Sequence, residues 1–249
     1  MAPLRRRDLW RMGARASLLQ ATFNYERQQG LGWAWALEPA LERIVPDPAP
    51  RRERLAEHTA YFNTQPTLAS LALGAIARLE ERREAGDGTD GVTIARVKSV
   101  LGASAAALGD PLFWFTLRPF AACLGVLLAP AAPALGALAL WVCYNIVHLG
   151  LRVLGVGWGY RLGPAVLGDP LRARIAGLTR VLGVLGAALA GTVVASLIVP
   201  GGEPRPLVFQ VSLMAGLGVG LVGAQHGRPS PTEWALGVGA LCLLSTFLR

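Results

Sequence analysis

Hydrophobic and polar positions follow two different patterns along this chain, and the change falls near residue 91. Before it, apolar residues recur at helical spacing among frequent charges. From Asp8 to Arg43 the pattern is that of an amphipathic helix, with Asp8 as its cap and Leu9, Met12, Leu18 and Leu19 on its apolar face. The Pro46-Asp47-Pro48 cluster ends it, and Arg51 to His58 reads as a short charged helix. Pro66 opens a more apolar helix running to Leu79, and Gly86 to Gly91 is the clearest loop. Nothing up to Gly91 reaches the roughly 18 uninterrupted apolar residues of a spanning helix. This part is expected at a membrane interface, or packed as a polar-edged helical unit upon it.

After residue 91 the apolar stretches lengthen to Pro119–Leu151, Ile175–Val199, Leu207–Ala224 and Trp234–Leu248. The first is too long for one crossing and is broken by Pro130 and Pro133, so it predicts a hairpin whose first arm, Pro119–Pro130, is short and re-entrant. No strand alternation stands out. The fold class is therefore all-α: a helical integral membrane protein with an amphipathic, interface-associated N-terminal region (1–91), a motif-bearing hairpin region (92–160) and C-terminal transmembrane helices (161–249).

Composition agrees with a lipid-solvated chain. Of 249 residues, 53% are hydrophobic and 16% charged, where a soluble domain carries about a quarter charged; the mean hydropathy is +0.42. The net charge of +8 is nearly all arginine. These arginines sit at the edges of apolar runs, without a basic stripe interleaved with aromatics, which argues for the positive cytoplasmic face of a membrane protein and against nucleic acid. Charge also orients the chain. Arg5-Arg6-Arg7 hold the N-terminus in the cytoplasm, with no signal-peptide core behind them, and the five arginines of Arg152–Arg180 return there. Pro200–Pro206 then faces outward, the loop with His226 and Arg228 inward, and the C-terminus outward. Cys123, Cys143 and Cys242 lie inside apolar runs without metal or disulfide spacing.

Four stretches carry more specific patterns: Leu19–Leu31 (LQATFNYERQQGL), Glu57–Pro66 (EHTAYFNTQP), Gly102–Pro119 (GASAAALGDPLFWFTLRP) and Tyr144–Tyr160 (YNIVHLGLRVLGVGWGY). In this order they resemble the IID component of mannose-, fructose- and sorbose-type phosphotransferase permeases. The resemblance implies a bacterial cytoplasmic-membrane subunit, partnered with a IIC membrane subunit and served by IIA and IIB phosphocarriers. Together they would move and phosphorylate a hexose, the IID subunit holding no phosphorylated residue or cofactor of its own. An alternative is a non-transport sensor or scaffold in a reduced system. The chain is shorter than typical members after Tyr160, and Ala103-Ser104-Ala105-Ala106-Ala107 replaces part of a glycine-rich approach to Asp110. An unrelated membrane enzyme lacks a nucleophile–base pair, metal cluster or phosphate loop in this sequence.

The same motifs supply the candidate site residues. Asn24 and Glu26 are polar positions in the first amphipathic helix. Asn63, Thr64 and Gln65 precede Pro66; their side chains suit sugar hydroxyls, and equally Asn63 or Thr64 caps the next helix. Asp110 precedes a proline and can cap a helix through Trp114, while Arg118 lies on the same face; the three form a sugar path or a structural ion pair. Asn145 and Arg152, seven residues apart, suit an interface with IIC, or Arg152 snorkels to headgroups. His58, His148 and His226 lack the partners of a phosphohistidine. The orientation has a direct check: with the three native cysteines replaced, Glu203→Cys is expected to react with an impermeant maleimide added to intact cells, and protection there would reverse the assignment.

Overall fold

A computed structural model describes residues 3–198 of the chain, so Pro200–Pro206, His226, Arg228, Cys242 and the runs Leu207–Ala224 and Trp234–Leu248 lie outside the described residues. Eight α-helices follow one another among the described residues: α1 (Arg6–Ala16), α2 (Gly30–Ile44), α3 (Pro48–His58), α4 (Ala69–Glu84), α5 (Gly91–Leu112), α6 (Arg118–Leu128), α7 (Pro133–Leu162) and α8 (Asp169–Ile198). A π-helical turn, Phe113–Leu117, joins α5 to α6, and a 3₁₀ turn, Gly163–Leu167, precedes α8.

The amphipathic helical stretch expected over Asp8–Arg43 consists of two helices, α1 and α2, with a turn between them. Asp8 is not the cap; it stands one turn inside α1, and its Oδ2 accepts the Arg5 amide at 3.0 Å. Met12 and Ala16 are buried and Leu18 is exposed. The helix stops because side chains beyond it offer the backbone a competing geometry. Asn24 Oδ1 accepts the amides of Glu26 (3.1 Å) and Arg27 (2.8 Å), and Gln28 adopts φ 53°. Asn24 and Glu26 therefore belong to the turn between α1 and α2. Within α2, Pro39 cannot donate to the carbonyl of Trp35; Arg15 from α1 does so instead, Nη1 to O at 2.8 Å, and pairs with Glu38 at 2.5 Å.

The central element is α4, whose residues from Ala69 to Ala77 are all buried. Its apolar content had suggested an interfacial helix, but its neighbours enclose it. It starts after Pro66 with a cap that neither Asn63 nor Thr64 provides: Gln65 Oε1 accepts the amides of Thr67 (2.7 Å) and Leu68 (3.0 Å). It runs past Leu79 to Glu84, then through a turn with Gly86 and Gly88 at positive φ. Its main neighbour is α7, and the two backbones touch. A Cβ at Gly159 would collide with the Leu71 carbonyl, and one at Gly74 with the Val156 carbonyl. Such contact takes small residues on both helices. A single apolar core runs from Leu4, just before α1, to Ile175 on α8.

The Pro119–Leu151 hairpin is present, turning between Leu128 and Pro133, but its first arm is not short. Helix α5, the π turn and α6 form one apolar helix of 38 residues, Gly91–Leu128. Pro111 and Pro119 lie inside it with a wide π turn between them, and the Thr116 hydroxyl donates to the Pro111 carbonyl at 2.7 Å. Gly109-Asp110-Pro111 thus marks helix interior and starts no helix. Gly91–Leu128, Pro133–Leu167 and Asp169–Val193 are each long and apolar enough to cross a membrane. The expected basic segment Arg152–Arg180 is largely helical; the break within it spans residues 163–168.

The α4–α7 contact yields a prediction. Gly159→Ala should lower stability in detergent by roughly 1–3 kcal/mol, because the new methyl meets backbone and the helices must part. Gly150→Ala, where a Cβ meets nothing within 4 Å, should leave the melting temperature unchanged or slightly raised. Equal melting of both variants would refute the contact.

Candidate functional site

The four sequence motifs meet around the start of α4, and three of them join first through backbone-to-amide pairing. Gln29 Nε2 donates to the Thr64 carbonyl at 2.7 Å, and its Oε1 accepts the Thr64 amide at 3.1 Å. The Thr64 hydroxyl donates to the carbonyl of Gly102 at 2.7 Å. Gln29 and Thr64 are both buried, so each polar atom would cost about 1–3 kcal/mol if left unpaired. Beside them the Trp33 and Phe62 rings pack 4.2 Å apart, and Lys98 Nζ stands 5.3 Å from each centroid while donating to the His58 carbonyl at 2.8 Å.

The fourth motif enters from α7. The Thr67 hydroxyl meets His148 Nδ1 at 2.7 Å, and Tyr144 stacks on His148 with centroids 5.2 Å apart. Phe113 from the π turn stands edge-on to both rings. Contrary to the sequence reading, a hydroxyl–imidazole pair therefore exists. Its Thr67 is buried and also faces Gln65 Nε2 at 3.4 Å, an arrangement that fixes α4 against α7.

Gly109 admits this joint to the apolar helix: a Cβ there would stand 2.7 Å from the Gln65 side chain. One residue on, Asp110, Trp114 and Arg118 share a face as their spacing suggests. The Arg118 guanidinium lies 5.7 Å from the Trp114 ring, and Asp110 precedes Trp114 by four residues. Asp110 is half-buried, whereas Trp114 and Arg118 are exposed. The stripe offers an acceptor, a flat apolar surface and a fork of donors, which together match a sugar ring and its hydroxyls.

Other expected site residues lie elsewhere. Asn63 is exposed, and Asn145 is half-buried with its Nδ2 donating back to the Trp141 carbonyl at 2.9 Å. Arg152 neither snorkels nor faces a partner. It is buried, and its Nη1 donates to the Ala16 (3.0 Å) and Ser17 (2.6 Å) carbonyls, closing the C-terminus of α1. A cation suits those orphan carbonyls and the negative end of the helix dipole.

At the far end of α4, Glu80 is fully buried among basic groups. His58 Nε2 lies 3.1 Å and Arg54 Nη1 3.2 Å from its oxygens, with Arg83 at 3.7 Å. The carboxylate can only accept, so the His58 imidazole donates. Arg83 also grips Glu57 through two bonds of 2.6 and 3.0 Å, which hold the Glu57 carboxyl below its ordinary range. His58 therefore does have a carboxylate partner, but one sealed from solvent. Among the described residues no group of three or more His, Cys, Asp or Glu could hold a metal.

The Gln29 joint is testable. Gln29→Leu should cost roughly 1–3 kcal/mol for each buried group of Thr64 left unpaired, seen as a lower melting temperature in detergent. Asn63→Ala should change it little, and a Gln29→Leu protein as stable as the parent would show that the pairing carries no weight.

Comparison with known proteins agrees with this architecture. A profile described as the PTS system mannose/fructose/sorbose family IID component matches residues 3–200. The mannose-specific EIID component of Escherichia coli is 35% identical over 181 residues, covering 72% of this chain and 64% of that protein. The fructose permease IID component of Bacillus subtilis is 34% identical over 191 residues, 77% of this chain and 70% of that protein. The chain therefore spans about two thirds of these relatives, and less for the E. coli protein. A chain in the electron cryomicroscopy structure of the mannose transporter ManYZ with a microcin superposes with a TM-score of 0.63 at 26% identity, covering 100% of this chain and 98% of that one. A solved structure described as a membrane protein gives 0.73 at 26% identity, covering 99% and 98%. This is a membrane protein built around apolar helices. It belongs to the mannose/fructose/sorbose family of phosphotransferase-system IID components.

Proposed function

We propose that this chain is the IID membrane subunit of a sugar-transporting phosphotransferase permease. It pairs with a IIC subunit to form the translocation unit, and the incoming mannose-type hexose is phosphorylated by IIB, which IIA recharges. One observation carries the reading furthest. The most apolar windows of α7 and α8 bury 6% of their residues inside the chain, so these helices depend on lipid or another subunit, while the spanning helix α5–α6 presents Asp110, Trp114 and Arg118 outward. Mannose-, fructose- and sorbose-specific IID components among the relatives support the substrate class.

In this reading Asp110, Trp114 and Arg118 lie along the sugar path or at the seam with IIC, and Gln65 couples that stripe to α4. Movement of one helical body against another around this seam would alternate access. The half before residue 91 is the cytoplasmic and interfacial part, and the chain resides in the bacterial cytoplasmic membrane with its N-terminus inside.

Uptake of labelled mannose, glucose or fructose by cells expressing the chain with its IIC and IIAB partners tests the proposal. Asp110→Asn and Arg118→Gln are each expected to cut uptake about tenfold, the loss of one charge-assisted hydrogen bond, while IIC still co-purifies. A complex that assembles yet takes up none of these sugars would point to the scaffold role. Failure to co-purify with IIC would remove the subunit assignment.

A further inference from the structure

The N-terminal end of α1 and the C-terminal part of α7 enclose a cleft of about 400 Å³ that plays no part in the sugar path. The helices run antiparallel here, with Gly13 against the Val153 carbonyl and Leu4 and Arg6 lining the same cleft as Gly157 and Arg161. Leu9 and Trp10 form one wall and Leu154 and Trp158 the other, while Arg6 and Arg161 are the charges at its rim. No carboxylate lines it.

Charge pairing elsewhere on the same helices makes this arrangement specific. On α1, Arg11 pairs with Glu42 and Arg15 with Glu38. Asp8 is occupied by the Arg5 amide. Glu81, behind the cleft, accepts the Leu4 amide at 2.8 Å and the Tyr160 hydroxyl at 2.6 Å. Arg6 makes no ion pair among the described residues, and the Arg161 side chain bonds its own helix, Nε to the Gly157 carbonyl at 3.3 Å. Two guanidinium groups thus face a cavity with no protein anion to meet them.

The cleft sits where Trp158, Tyr160 and Arg161 end a helix long enough to cross the bilayer, the composition of a membrane–water boundary. We propose that it binds an anionic phospholipid, the phosphate held between Arg6 and Arg161 and an acyl chain laid along Leu154 and Trp158. A zwitterionic lipid brings its own cation to a rim that already has two, whereas an anionic headgroup supplies the missing charge. The apolar walls favour a lipid over a small soluble anion, because free phosphate would leave Leu9, Trp10 and Leu154 uncovered. The proposal concerns stability and assembly in the membrane, so it stands or falls separately from sugar uptake.

The experiment uses the full chain, alone and with IIC, delipidated in detergent and titrated with phosphatidylglycerol, phosphatidylcholine or inorganic phosphate. Binding is read by native mass spectrometry and by the shift in melting temperature. Phosphatidylglycerol should bind roughly tenfold or more tightly than phosphatidylcholine, as two arginines at the interface would give. Arg6→Gln with Arg161→Gln should abolish that preference without changing the melting temperature in phosphatidylcholine. Arg172→Gln with Arg174→Gln, which removes the same net charge elsewhere, should keep it. Equal binding of the two lipids, equal loss in the control pair, or a shift reproduced by inorganic phosphate alone would each overturn the proposal. So would a preference that vanishes in the IIC complex, since the cleft would then be covered by protein.

Discussion

Backbone-to-backbone contact between α4 and α7 sets the position of almost everything else. Gly74, Gly155 and Gly159 bring the two helices closer than any side chain would permit. At that separation short polar groups can reach across: Ser70 Oγ donates to the Leu151 carbonyl at 2.9 Å, Thr67 meets His148, and Tyr160 donates to Glu81. Close packing and such bonds hold the two helices together. Because α4 begins at the motif joint and ends at the buried Glu80 cluster, the same contact aligns both. It also presents Arg152 to the end of α1.

The motifs of this family pattern are mostly joints. Gln29, Thr64, Gln65 and Thr67 spend their hydrogen bonds on backbone, on one another and on His148. Each buried polar group would be costly alone, about 1–3 kcal/mol, and is tolerated because its partner is in place. Such a network specifies one arrangement of loops that could otherwise slide. Trp114 and Arg118 are instead exposed and Asp110 half-buried, one glycine away from the joint. Rigid joint and open stripe are adjacent, since Gly109, next to Asp110, packs on the Gln65 side chain.

What could be read from the sequence depended on whether a residue's neighbours were local. The hairpin at Pro130 and Pro133 was legible because proline acts on its own backbone, and the Asp110–Trp114–Arg118 face was legible from helical spacing alone. Asn24 was misplaced because its side chain outcompeted helix locally, a contest that apolar periodicity does not register. Pro111 and Pro119 looked like helix boundaries, yet a π turn let one helix pass through both. The burial of α4 was hidden because its enclosing surface comes from α7, some 80 residues later in contact terms such as Thr67 with His148. The Gln29–Thr64 pairing, 35 residues apart, was invisible for the same reason.

Arginine shows the difference most clearly, and it changes how charge orients the chain. Arg15 repairs a carbonyl orphaned by Pro39, and Arg152 closes the end of α1 from inside the core. Arg152 is buried away from water, so it carries no topological information, although it counts toward the net charge of +8. Removing Arg152 from the basic segment Arg152–Arg180 leaves Arg161, Arg172, Arg174 and Arg180 on either side of the 163–168 turn. Orientation is set by charges within about 15–20 residues of a span's end, and all four qualify. The basic character of that turn therefore survives the loss of its most buried member. It rests on four arginines that are exposed where Arg152 is buried.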